Sequence, residues 1–202
     1  MITAEKLLSI VEEDLPDFEK LIDQEDISQL IDNLNSKDDK LRYRSFLLLQ
    51  SRSKYKDDVY PFWDIFLEKL QSSNSYQRSI GLMMLADNVR WDNDNKIDRA
   101  IDDYLMLLTD EKPITVRQCI QALPKIISHK SHLNNKIAAE LMSIDLSGIR
   151  ETMRKLILID ILTVLITISR INSSSEMESY IANALTGGIL DKKSKKQIET
   201  ML

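Results

Sequence analysis

The chain has 202 residues, 43% of them hydrophobic, with four glycines, four prolines, a formal net charge of −5 and an isoelectric point near 5.2. That length buries a core without staples, and the single cysteine, Cys119, excludes an intramolecular disulfide and a cysteine-rich zinc site. The acidic balance argues against a generic nucleic-acid binder, which carries a basic surface, while few breakers and many Leu, Ile, Lys, Glu and Asp favour helix over sheet.

In chain order, Thr3 can cap a first helix with Leu7, Leu8, Ile10 and Val11 at helical spacing. Pro16 suits the first turn of a short helix through Leu21-Ile22. Asp26 is expected to cap 27–34, where Ile27, Leu30, Ile31 and Leu34 share a face. Residues 1–25 read as a cap. Four helix pairs follow over 26–170: 27–34 with 38–52, 59–71 with 75–89, 95–108 with 113–128, and 133–144 with 147–169. Asp57 or Asp58 is expected to cap the second pair, with Pro61 in its first turn. Pro124 deletes a bond to the Ile120 carbonyl, which predicts a bend. The helix 147–169 is apolar nearly all round, so neighbours should cover both its sides. A C-terminal cap and basic tail occupy 171–202: a helix 176–185 ended by Gly187-Gly188, then 191–202, expected to be exposed and frayed. The whole reads as a single domain, 1–202.

Each second helix opens on an arginine: Arg42, Arg78, Arg117 and Arg154, spaced 36, 39 and 37 residues apart, a solenoid period. A leucine precedes each by 8, 8, 9 and 8 residues: Leu34, Leu70, Leu108 and Leu146. Three of the arginines follow a hydrophobe, Leu41, Val116 or Met153; Gln77 stands there before Arg78.

The stretches SKDDKLRYRSFLLLQ, DEKPITVRQCIQALP and SSNSYQRSIGLMMLA resemble HEAT repeats in their leucine-rich first helix, polar turn and hydrophobe-arginine opening. The resemblance covers residues 26–170. It implies an all-α fold, a right-handed α-α superhelix of about four helical hairpins plus capping helices, with the second helices on the concave side. It also implies a binding scaffold rather than an enzyme, since that family mostly serves as binding scaffolds.

Aligned on the arginines, one face of the second helices holds Leu41 and Leu48; Ile80 and Met84; Val116, Cys119, Leu123 and Ile127; and Met153, Leu156 and Val164. This is the expected core. The arginines are expected to stack between repeats or satisfy turn carboxylates; the rival reading is a track for an anionic ligand. Two positions break the pattern. Arg44 can snorkel out of a thin core. Asp160 needs a cation or hydrogen bonds if buried, and a basic residue of a neighbouring repeat is the expected partner.

A second stripe, opposite the core, holds Tyr43, Leu47 and Gln50; Ser79, Met83 and Ala86; Gln118, Ala122 and Lys125; and Lys155, Ile159 and Leu162. It is less polar than a free surface and predicts a contact site for a protein, peptide or helix, with Tyr43, Leu47, Met83, Gln118, Lys125, Lys155 and Ile159 as the binding residues. Folding of the C-terminal helices over Ile159 and Leu162 is the competing expectation there.

No other chemistry stands out. His129 and His132, at i and i+3, are too few for a zinc site. Cys119 falls on the core stripe. Phosphate-loop, dinucleotide and zinc-protease motifs are absent, and KKSKK at 192–196 reads as a solvated face. The expectation is therefore no metal, no cofactor, no catalytic residue and no nucleic acid. Trp63-Asp64 and Trp91-Asp92 raise one enzymatic alternative, a resemblance to the HEAT-like alkylpurine DNA glycosylases, which use Trp and Asp in a basic concave cleft. A structural subunit of a larger assembly is the other alternative. Met1–Asp14 contains acids and lacks a long apolar run, so no signal peptide is read. The most apolar run, 156–168, is short for a spanning helix and contains Asp160. A soluble, cytoplasmic protein is the expectation.

Overall fold

Every described residue of the computed structural model that is in regular structure is helical. The structure describes all residues except Met1, Glu12 and Glu13, and only the backbone of Pro16 and Glu19. Two of the acids noted in the N-terminal segment, Glu12 and Glu13, thus lie outside the described residues. The chain divides into two compact units, Met1–Ala100 and Ile101–Leu202.

The first unit contains α1 (Ala4–Ser9), α2 (Leu15–Phe18), α3 (Gln24–Asn33), α4 (Asp39–Ser53), α5 (Trp63–Lys69) and α6 (Ser75–Asn88). Capping explains most of the starts. Thr3 accepts from the Lys6 N–H, Asp38 from those of Lys40 and Leu41, and Asn74 from that of Tyr76. Two expected caps are corrected. Helix α3 begins a turn earlier than Asp26: Asp23 is its cap, and Asp26 closes a capping box by accepting from the Asp23 N–H. Neither Asp57 nor Asp58 caps α5, because Asp58 forks onto the buried Arg52 and a 3-10 turn, Tyr60–Phe62, carries Pro61 instead. Helix α3 packs on α4, α5 on α6, and α4 on α6, with α1 and α2 against α4. Leu30, Leu34, Leu48, Leu49, Phe66, Leu82 and Met84 are fully buried.

The α5–α6 contact is close because of Gly81. A Cβ there would stand 2.6 Å from the Phe66 carbonyl oxygen and 2.9 Å from Lys69 Cβ. The residue therefore serves helix approach rather than flexibility, despite the propensity glycine forfeits in a helix.

Helix α7 (Lys96–Leu105) contains the division between the units. The second unit continues with a 3-10 turn (Met106–Thr109), α8 (Pro113–His129), α9 (Asn134–Ser143), α10 (Glu151–Ser169), α11 (Ser175–Thr186) and α12 (Lys192–Glu199). Helix α8 continues through Pro124. Helix α10 begins at Glu151, not Ser147, because a 3-10 turn capped by Asp145 occupies Leu146–Gly148. The 3-10 turn packs on α8, α9 on α10, and α8 on α10; α11 and α12 also lie against α10. This explains how an almost wholly apolar helix is covered on both sides. Gly187 ends α11 in an extended conformation, φ −68° and ψ 175°, not the left-handed one. The last helix is largely exposed, as expected, but it is anchored rather than loose: Asp191 caps it at the Ser194 N–H, and Ile198 is fully buried.

Candidate functional site

Three of the four recurring arginines do one structural job. Arg42 donates to the Ser36 carbonyl at 2.9 Å, Arg78 to the Ser72 carbonyl at 2.8 Å, and Arg154 to the Ile149 and Ser147 carbonyls at 2.7 and 2.9 Å. Each fills the turn just before its own helix, where backbone carbonyls lack helical partners. A turn carboxylate joins in for Arg42, which also pairs with Asp39 at 2.6 Å, and for Arg154, whose charge acts on Asp145.

Arg117 reaches the next second helix instead. Its Nε donates to Asp160 Oδ2 at 2.6 Å and its terminal nitrogen to Oδ1 at 3.3 Å, while Gln121 Nε2 donates to Oδ1 at 3.0 Å. Asp160 is 9% exposed. The buried carboxylate thus has the neighbouring-repeat cation that its core register demanded, plus an amide. This arrangement joins α8 to α10 and leaves no vacant acid.

Departures from the repeat pattern have similar causes. Gln77 replaces a hydrophobe because its amide donates to the Leu34 carbonyl at 2.8 Å, at the C-terminus of α3, and accepts from Lys69. Lys69 also donates to Asn35 Oδ1 at 2.7 Å, and burial pulls its ammonium below the ordinary lysine value. Trp91 Nε1 donates to the Ser53 carbonyl at 2.8 Å, and Arg90 to that of Lys54, so the segment after α6 closes the C-terminus of α4.

The same accounting covers the aromatic-acid pairs. Trp63 is core. Asp92 is buried and accepts from the Lys96 and Ile97 N–H groups at the start of α7 and from the Tyr60 hydroxyl at 2.8 Å. Burial, then the Asp92 carboxylate, push the Tyr60 hydroxyl well above its usual value. Asp64 is exposed, 3.8 Å from Lys96 Nζ. Cys119 is fully buried against the Tyr104 carbonyl, and burial raises its thiol. His129 ends α8, while His132 lies in the 3-10 turn Ser131–Leu133. Among the described residues no group of three or more His, Cys, Asp or Glu is placed to hold a metal ion. No helix among them is long and apolar enough to cross a membrane.

The second stripe divides by unit. In the first, Tyr43 is 51% exposed, Leu47, Gln50 and Met83 are half-buried, and the small Ser79 and Ala86 are buried. Tyr76, which the sequence reading passed over, lies seven residues before Met83 on the same face of α6 and is 68% exposed. Two contacts bind α4 to α6 along this face. The Arg42 guanidinium lies 5.7 Å from the Tyr76 ring centroid, and Gln50 Nε2 donates to Asp87 Oδ2 at 2.6 Å.

In the second unit Lys125 is exposed, Gln118 half-buried and Ala122 buried. On α10, Leu162 is fully buried, Ile159 half-buried, and Lys155 Nζ bonds Asp191 Oδ2 at 2.8 Å, at the cap of α12. The C-terminal helices therefore occupy part of the stripe here. The core stripe is also thinner at its margins, where Leu41, Met153 and Leu156 are half-buried.

No family model matches this chain, and neither a curated protein nor a solved structure does.

Proposed function

We propose that this chain is a non-enzymatic interaction scaffold, a HEAT-like right-handed superhelix of helix pairs whose second helices take a peptide or a helix. Support for the repeat comes from within each unit: α4 lies on α6 and α8 on α10, second helix against second helix. Three of the four repeat arginines make the same turn contact.

The observation that carries the binding reading is the α4–α6 face. Exposed Tyr43 and Tyr76 share this face with half-exposed Leu47 and Met83, and the Arg42 guanidinium lies against the Tyr76 ring. Tyrosines give large contact area at low entropic cost and enrich at interfaces, and methionine adapts to different partners. Asp160, Asp92 and Gln77 are engaged in structural hydrogen bonds, so the reading rests on the exposed α4–α6 face.

The test is the double variant Leu47→Asp with Met83→Asp in an affinity pull-down. Loss of the partners recovered by the native chain, with an unchanged melting curve, supports the reading. Unchanged recovery by a normally folded variant overturns it.

A further inference from the structure

A different pair of surfaces points beyond this face. In the first unit, Leu21 ends the 3-10 turn that follows α2 and is 76% exposed, the most exposed large hydrophobic side chain described. Acids flank it: exposed Asp14, Asp17, Asp23 and Glu25, with Lys20 paired to Asp17 at 2.7 Å. Residues 1–39 hold twelve acidic side chains against three basic ones.

The second unit carries the inverse pattern. A shallow groove of about 260 Å³ is lined by Leu146, Leu158, Tyr180, Ala184 and Ile189. Lys192, Lys195 and Lys196 of α12 line a second hollow together with Leu190, the residue that follows Ile189 in sequence. Glu199 is the acid among them. An apolar slot followed along the chain by a lysine cluster complements an exposed leucine set among carboxylates. Complementary charge steers encounter and fixes register, while the buried apolar side chain supplies affinity.

We infer that the chain self-associates head to tail, the Leu21 segment of one copy seating in the α10–α11 groove of a second copy with its carboxylates against the α12 lysines. The two surfaces differ, so the contact is heterologous. Each copy keeps one free surface of each kind, and association continues into chains or closes into a ring. Salt weakens the charged rim, since the Debye length is about 10 Å at 0.1 M and 3 Å at 1 M. The contact does not involve Tyr43, Leu47, Tyr76 or Met83, so it stands or falls apart from the scaffold reading.

Sedimentation velocity of the full chain over a concentration series tests it. The weight-average mass is expected to rise above 23.4 kDa with concentration in low salt and to fall back in high salt. Leu21→Asp, and separately Lys192→Glu with Lys196→Glu, should each remain monomeric; all three side chains are exposed, and helical circular dichroism verifies their folding. An equimolar mixture of the two variants retains one intact head and one intact tail, so its mass should stop at a dimer. A native chain that is monomeric at every concentration, association that neither variant reduces, or a mixture that stays monomeric or grows past a dimer overturns the inference.

Discussion

Replacing Arg117 by methionine isolates the most consequential polar contact in the second unit. The substitution keeps the aliphatic bulk and leaves Asp160, 9% exposed, with Gln121 as its donor. Removing one partner of a buried ion pair costs about 3–5 kcal/mol, because the remaining charge is stranded. Here the Arg117 side chain is 25% exposed, and the amide remains, so solvent screening lowers the expectation to about 2–3 kcal/mol. For a chain of this size that is a fall in melting temperature of roughly 4–12 °C. Asp160→Asn keeps an acceptor and should cost less, about 1 kcal/mol. Arg117→Met with Asp160→Leu removes both charges and should recover to within about 1 kcal/mol of the native chain. Urea unfolding followed by helical circular dichroism measures all three. A loss below about 0.5 kcal/mol for Arg117→Met, the range of ordinary surface substitutions, would refute the reasoning. So would a double variant no more stable than the single one.

Gly81→Ala should destabilise by about 1–3 kcal/mol in the same assay, although alanine gains about 1 kcal/mol of helix propensity, because the new methyl meets the Phe66 carbonyl at 2.6 Å. The Cys119 thiol should resist a thiol reagent in the native state and react at the rate of unfolding once urea is added, since burial both hides it and raises it. Asp191 is held below the ordinary carboxylate value of 3.8, first by its hydrogen bond with Lys155 and then by the Ser194 N–H. A depressed carboxylate stabilises above its unfolded value and loses that contribution as pH falls. Amide-exchange protection of α12 should therefore hold from neutral pH to 3.8 and decline below it, and Asp191→Ala should reduce it at neutral pH.

Local chemistry made the helices legible. Thr3, Asp38 and Pro113 stand at starts because each answers a requirement of the first turn. Asp160 was legible for a related reason: a carboxylate in a core register must meet a cation or donors, whichever residue supplies them. The start of α3 was misjudged because D-Q-E-D at 23–26 offers two carboxylates that can both serve, and their geometry, not their identity, assigns the roles. Gln77 and Gly81 were opaque because their partners, Leu34 and Phe66, lie on other helices. The binding stripe shared this difficulty. Helical spacing put Lys155, Ile159 and Leu162 on one face, but only the docking of α11 and α12 determines that Leu162 is covered and Lys155 engaged. Tyr76 could have been found: it lies seven residues before Met83 and on the same side of α6.

The scaffold reading depends on whether a protein segment lies on the α4–α6 face, and site-specific photo-crosslinking probes that directly. A photoreactive residue replaces Tyr43, Tyr76 or, as a control on an exposed position after α4, Tyr55. The account predicts that positions 43 and 76 capture the same protein, that position 55 does not, and that Leu47→Asp with Met83→Asp abolishes the capture. The same capture from all three positions, or capture that survives the double substitution, would contradict it.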